Sequence, residues 1–246
     1  MIINDFYQNY LIETLIEDDK IEAEGHVSSG KLSASMLGEP VQWQFLKMFG
    51  FTKIVDPYLL GKFLRGKEVE KTFLDRLSRR MEVKDRQKKV EYRGVVGYMD
   101  AVVSTAGSPL PVGFVPFEVK SVSNAKFKRL TQEGKVQRGH ALQGALYGLA
   151  EGYEFFDVAY VSGEDYRSLV FRLKVADYKE EIDKIIDAFN SAILSGEVPV
   201  FEPPEKWQAN PKYSKFPEWM TLTKEECQKK LKEHLLEQLG LTEKIA

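Results

Sequence analysis

Near residue 88 the apolar residues stop recurring every three or four positions and begin to alternate, and this change of period restricts the folds open to the chain. Before it, Phe63, Leu64, Val69, Phe73, Leu74 and Leu77 give residues 62–80 the spacing of an amphipathic helix. After it, Lys89 to Tyr92, Val95 to Val103 and Phe114 to Ser121 read as strands. The link from Ser104 to Gly113 holds two glycines and two prolines, which predicts a loop between antiparallel strands. Residues 135–151 predict a helix of small apolar residues, 155–162 and 169–175 two more strands, and 177–195 another helix. The order implies an α/β (α+β) core with a central mixed sheet of about four to five strands flanked by helices.

Both ends carry helical decorations. Phe6, Tyr10, Leu11 and Leu15 give residues 5–17 helical spacing, and Ser33 or Ser35 can cap a helix over about 35–49. Residues 199–220 are rich in Pro and aromatics without period, and 223–239 read as a polar helix. No repeat or Gly/Ser linker divides the chain, so a single domain over 1–246 is expected. Its core would lie at about 62–175, preceded by a helical N-terminal region (1–61) and followed by a helical, aromatic-rich C-terminal region (176–246).

Thirty-five basic and 37 acidic side chains leave a net charge of −2, which excludes a protein that holds nucleic acid by being basic all over. The charge is nevertheless uneven. Residues 1–25 hold seven acids and one base (−6), and 177–246 fourteen acids and ten bases (−4). Residues 62–93 hold twelve bases and six acids (+6), and 120–138 six bases and one acid (+5). A lone basic block is usually a solvated face, but two that bracket an acidic cluster suggest a local anion surface. The single cysteine, Cys227, excludes an intramolecular disulfide and any cysteine-built zinc or iron-sulfur site within one chain. No run reaches the ~18 apolar residues of a membrane helix, and the N-terminus lacks the features of a signal peptide, so a cytoplasmic location is expected.

Asp100, Glu118 and Lys120 carry the chemistry. Side chains two apart on a strand share a face, so Glu118 and Lys120 converge while Val119 points the other way. Burying such a pair in an apolar strand is costly unless it is internally paired or binds a metal. A lone Glu-x-Lys is ordinarily just an ion pair. Here Asp100, on the preceding strand, can come opposite Glu118, and two carboxylates form a hard oxygen site of the kind Mg²⁺ uses. Glu70 adds an acid on the preceding helix, and Gln143 and Tyr147 lie one turn apart on a following one.

The order of an acid on a helix, Gly97-x-x-Asp100, Glu118-x-Lys120 and then Gln143-x-x-x-Tyr147 resembles the PD-(D/E)XK nuclease superfamily. The likeness is to its RecB-type domains, lambda-type exonucleases and CRISPR-associated adaptation exonucleases, over roughly residues 28–175. Leu32-Ser33-Ala34-Ser35 also looks like the helix-opening motif of RecB-type domains. The resemblance implies a restriction-endonuclease-like core and one or two Mg²⁺ or Mn²⁺ ions held by Asp100, Glu118 and the Val119 carbonyl. Glu70 would take the helix position filled there by His or Glu. Lys120 would orient or activate water, and Gln143 and Tyr147 would support the site or the DNA strand. Two departures stand out: the four cluster-binding cysteines of many relatives are absent, so no iron-sulfur cluster is expected, and Met99 replaces the usual proline. Aromatic packing over residues 207–219 is the expected substitute for the cluster.

The implied activity is metal-dependent DNA exonuclease chemistry in replication, recombination or repair, in a bacterial or phage-infected cell. An endonuclease of the restriction or junction-resolving kind and a non-catalytic nucleic-acid-binding module are the alternatives. Lys126, Lys128, Arg129, Lys135 and Arg138 are the expected phosphate contacts, without sequence specificity. Self-assembly or a recombination partner protein is left open, and no membrane partner is expected. For His140, helix packing or a DNA-facing role is favoured over ligation, and His26 and His234 read as structural. Cys227 has no catalytic context, and Trp207 and Trp219 read as core residues before base-stacking ones.

Overall fold

The structure, a computed structural model, describes residues 12–17, 32–51, 57–110, 112–199, 210 and 216–238. In chain order its first elements are a 3-10 turn (Ala34–Met36), α1 (Val41–Met48), α2 (Pro57–Leu77), β1 (Val83–Lys84), β2 (Lys88–Tyr92), β3 (Val95–Met99) and β4 (Ala101–Ser104). They are followed by β5 (Phe114–Val122), α3 (Asn124–Glu133), α4 (Arg138–Glu151), β6 (Phe155–Ser162), β7 (Ser168–Lys174), α5 (Ala176–Ser195) and α6 (Lys224–Gln238). These residues group into two compact units, one drawn from Met1–Gly38 and Ile54–Glu180, the other from Glu39–Lys53 and Glu181–Ala246.

The first unit is built on a five-stranded sheet in the order β1-β4-β5-β6-β7, beside a two-stranded ribbon of β2 and β3. Only β5 and β6 run parallel; the other neighbours are antiparallel, so the sheet is mixed as expected. A parallel neighbour needs a crossover, and α3 and α4 provide it. α2 lies against the sheet through Val69 and Leu74, which are buried with Ala101, Val103, Phe117, Val119, Ala159 and Val161. This packing brings the helix alongside the strand that carries Glu118.

Three local expectations are corrected. The helix over about 35–49 is broken, because Pro40 cannot donate a backbone hydrogen bond and disfavours helix in the residue before it; the chain makes a 3-10 turn, then α1. Ser33 sits at the N-cap of that turn, but its hydroxyl meets Ser35 Oγ at 3.0 Å instead of a backbone N–H. The stretch 95–103, read as one strand, is divided at Asp100 into β3 and β4. Helix α3 is absent from the expected elements, although its signals are present: the Ser123 hydroxyl accepts from the Lys126 N–H at its start, and Gly134 closes it with φ +60°. Residues 12–17 are helical, and the rest of the helix expected over 5–17 lies outside the described residues.

The small residues of α4 permit close packing. A Cβ on Gly144 would sit 2.5 Å from the Phe156 ring, and one on Gly148 2.3 Å from Val175 Cγ2. The second unit has its own core, in which Trp43, Phe45, Leu46, Phe216, Trp219, Met220, Cys227 and Leu231 are buried together. Trp219 is therefore a core residue. Trp207, His26 and most of the proposed aromatic staple lie outside the described residues. His234 reads as structural: its Nε2 is 3.1 Å from the Phe49 carbonyl, and its ring packs on Phe51. Among the described residues no helix is long and apolar enough to cross a membrane.

Candidate active site

Asp100 stands where one extended segment changes partners. Up to Met99 the chain pairs with β2, and from Ala101 it pairs with β5, opposite Phe117. At this junction Asp100 Oδ2 accepts the Val119 N–H at 2.7 Å, which fixes the carboxylate against β5. Glu118, 1% exposed, pairs through Oε1 with the Lys120 ammonium on the same strand face. Glu118 Oε2 is buried without a hydrogen-bond partner among the described residues.

Glu70 joins from α2. Its carboxyl lies within hydrogen-bonding reach of Asp100, and burial together with the Asp100 charge pushes its pKa up to about 7. Burial, then the Asp100 charge, pushes Glu118 up to about 8. Asp100 is also shifted upward by burial, against the pull of the Val119 N–H and Lys120. Burial alone would lower the Lys120 pKa, but Glu118, Asp100 and Glu70 outweigh it and the shift is upward. Three acids thus face the Lys120 ammonium, and burial, the largest cause for each, raises the pKa of all three.

Gln143 and Tyr147 do not touch the acids. The Gln143 amide donates to the Tyr147 hydroxyl at 2.7 Å, and that hydroxyl donates to the Tyr98 carbonyl at 2.9 Å. Together they brace the strand two residues before Asp100. Lys126 is half-buried on α3, and burial, then Arg129 and Lys120, depress its pKa. Lys128, Arg129, Lys135 and Arg138 are exposed, and Arg129 leans toward Glu133 at 3.6 Å.

His140 is a packing residue with a pH signature. The Tyr160 hydroxyl accepts the Gln137 N–H at 2.9 Å and lies 3.0 Å from His140 Nδ1, so the imidazole is held against the tyrosine. Burial, then Lys120 and Lys126, push its pKa down to about 3. A depressed imidazole contributes stability above its unfolded pKa of ~6.5 that is lost as pH falls toward the folded value. Wild type should lose about 2 kcal/mol more than His140→Gln between pH 7 and pH 5. Urea titrations of both proteins at the two pH values measure the difference, and equal losses would refute it.

One residue near the acids carries no signal in the sequence. Gln87, in the β1–β2 turn at φ +53°, donates from Nε2 to Glu70 Oε1 at 2.9 Å and approaches Asp100 Oδ1 at 3.4 Å. Among the described residues no group of three or more His, Cys, Asp or Glu side chains is placed to hold a metal ion. Two carboxylates, a backbone carbonyl and water are nonetheless a donor set that Mg²⁺ accepts. The unpartnered Glu118 Oε2 fits such an ion.

No family model matches the sequence, and no curated protein does. Among solved structures, the fold matches an alkaline exonuclease (LHK-Exo) from Laribacter hongkongensis with a TM-score of 0.53 at 16% identity, over 68% of this chain and 89% of that one. LHK-Exo in complex with dAMP matches with a TM-score of 0.49 at 16% identity, over 68% and 91%. A phage related exonuclease from Haemophilus somnus 129PT matches with a TM-score of 0.44 at 11% identity, over 68% and 96%. The chain has a mixed α/β fold with a helix-flanked central sheet of the kind found in the first of these exonucleases.

Proposed function

We propose that the chain is a Mg²⁺- or Mn²⁺-dependent deoxyribonuclease of the PD-(D/E)XK type that hydrolyses DNA from its ends. The observation that carries this reading is the pair of half-satisfied carboxylates. Asp100 gives one oxygen to Val119 and Glu118 one to Lys120; Asp100 then has only the Glu70 carboxyl and a long contact from Gln87 beside it, and Glu118 Oε2 has no partner among the described residues. Leaving such oxygens in a buried site is costly, and a dication relieves the cost. Asp100, Glu118 and the Val119 carbonyl are the proposed ligands, with Glu70 at the helix side. When bound, the ion supplies Lewis acidity at the phosphate and lowers the pKa of a bound water.

The chain's own groups do the rest. Lys120 holds a positive charge beside the carboxylates, where it orients the attacking water or offsets charge developing on the phosphate. Gln143 and Tyr147 are positioning residues that act through the Tyr98 carbonyl. Lys126, Lys128, Arg129, Lys135 and Arg138 take phosphates, which gives affinity without sequence reading. Hydrolysis from ends is preferred over internal cleavage because the fold is shared with an exonuclease. Such an activity suits replication, recombination or repair.

The test is cleavage of labelled linear and circular DNA with Mg²⁺ or Mn²⁺. Loss of linear DNA alone supports the proposal; nicking of circles makes the chain an endonuclease, and no cleavage leaves a binding module. A separate expectation concerns salt. Replacing Lys126, Lys128 and Lys135 together by alanine should flatten the dependence of log affinity on log salt by about two to three. Fluorescence anisotropy with Ca²⁺ in place of Mg²⁺ reads the slope, and an unchanged slope would remove these residues from the DNA surface.

A further inference from the structure

We infer that Gln87 is a cation ligand of this site, supplying a neutral oxygen that the acids alone lack. The inference rests on the reading of the site as a metal centre and adds a residue to it. The Gln87 carboxamide lies between the two acids contributed by different elements, 2.9 Å from Glu70 Oε1 and 3.4 Å from Asp100 Oδ1. Ligand oxygens around an octahedral Mg²⁺ at ~2.1 Å sit about 3 Å from one another, so the terminal atom of Gln87 already stands at the spacing of a neighbouring ligand. In the structure that atom is the amide nitrogen, donating to the acids. Rotation about the last side-chain bond exchanges it for Oε1, a hard donor of the type Mg²⁺ and Mn²⁺ accept.

The backbone holds Gln87 there at a cost. Its φ of +53° is a conformation that residues other than glycine seldom adopt. Two anchors enforce it. The Gln87 N–H donates to the Asp100 carbonyl at 3.3 Å, and the neighbouring Arg86 donates to Asp75 Oδ1 and to the Leu74 carbonyl, one turn beyond Glu70 on α2. The turn is thereby tied to the Asp100 backbone and to the helix that carries Glu70.

Calorimetry of Mn²⁺ binding to the full chain, with the free ion followed by electron paramagnetic resonance, tests this without turnover. Gln87→Ala should weaken Mn²⁺ binding about tenfold, and Gln87→Glu should strengthen it. Circular dichroism melts of the metal-free variants report whether they are folded. If Gln87→Ala binds Mn²⁺ as tightly as wild type, or more tightly, the carboxamide is only a placeholder and the inference fails while the metal centre stands. If wild type takes up no Mn²⁺, the metal centre fails with it.

Discussion

Asp100→Asn and Lys120→Met should each lower the rate of Mg²⁺-dependent DNA hydrolysis by at least about 10³-fold while the protein stays folded. The substitutions are chosen to separate chemistry from folding. Asparagine keeps an oxygen for the Val119 N–H, which alanine would leave buried and unpaired at a cost of about 1–3 kcal/mol. It removes the charge that a cation needs. Methionine keeps the unbranched apolar stem of Lys120 and removes the ammonium. That strands Glu118, and breaking a buried pair ordinarily costs about 3–5 kcal/mol. Here Glu118 escapes most of the penalty by taking up a proton, because burial and the Asp100 charge push its pKa up and the substitution removes the Lys120 charge that pulls it down. The double variant should be little slower than either single one, since groups that act on one phosphate lose their effect as a unit. Rates on end-labelled linear DNA, with thermal melts of each variant, decide the matter. Near wild-type hydrolysis in either single variant would remove the assignment of the site.

Most of this geometry is legible in the sequence. Alternation puts Glu118 and Lys120 on one face, where they form an ion pair, and the loop 104–113 puts the strand after Asp100 antiparallel to theirs, as the register shows. What alternation cannot show is the break at Asp100. The residue belongs to neither ladder because β3 and β4 pair with different strands, and a single strand's pattern holds no information about its partners. Helix α3 is hidden by its charge: Lys126, Lys128 and Arg129 read as a basic block, although Ser123 and Gly134 mark both ends. Gln87 could not have been found at all. Its role depends on a positive φ that no residue type at that position announces, and on Arg86 reaching a helix turn twelve residues away in sequence.

The Gly97-x-x-Asp100 and Gln143-x-x-x-Tyr147 patterns, which look separate in the sequence, are two halves of one contact. A Cβ on Gly97 would stand 2.7 Å from Tyr147 Cε1 and 2.7 Å from Ala34 Cβ. The Tyr147 ring is 1% exposed, and its hydroxyl is tied to both Gln143 and the Tyr98 carbonyl, so it has no room to retreat. Gly97→Ala should therefore destabilise the protein by about 3 kcal/mol, the upper end for an added methyl in a packed core. It should also slow hydrolysis, because whatever moves the ring moves the strand that leads into Asp100. Gly66→Ala is the control for the loss of glycine itself. It lies within α2, a Cβ there would meet nothing within 4 Å, and alanine should stabilise the helix by about 0.5–1 kcal/mol. Chemical denaturation of the two variants should thus shift in opposite directions. If Gly97→Ala proves as stable and as active as wild type, the ring does not brace the strand, and Gln143 and Tyr147 lose the positioning role given to them.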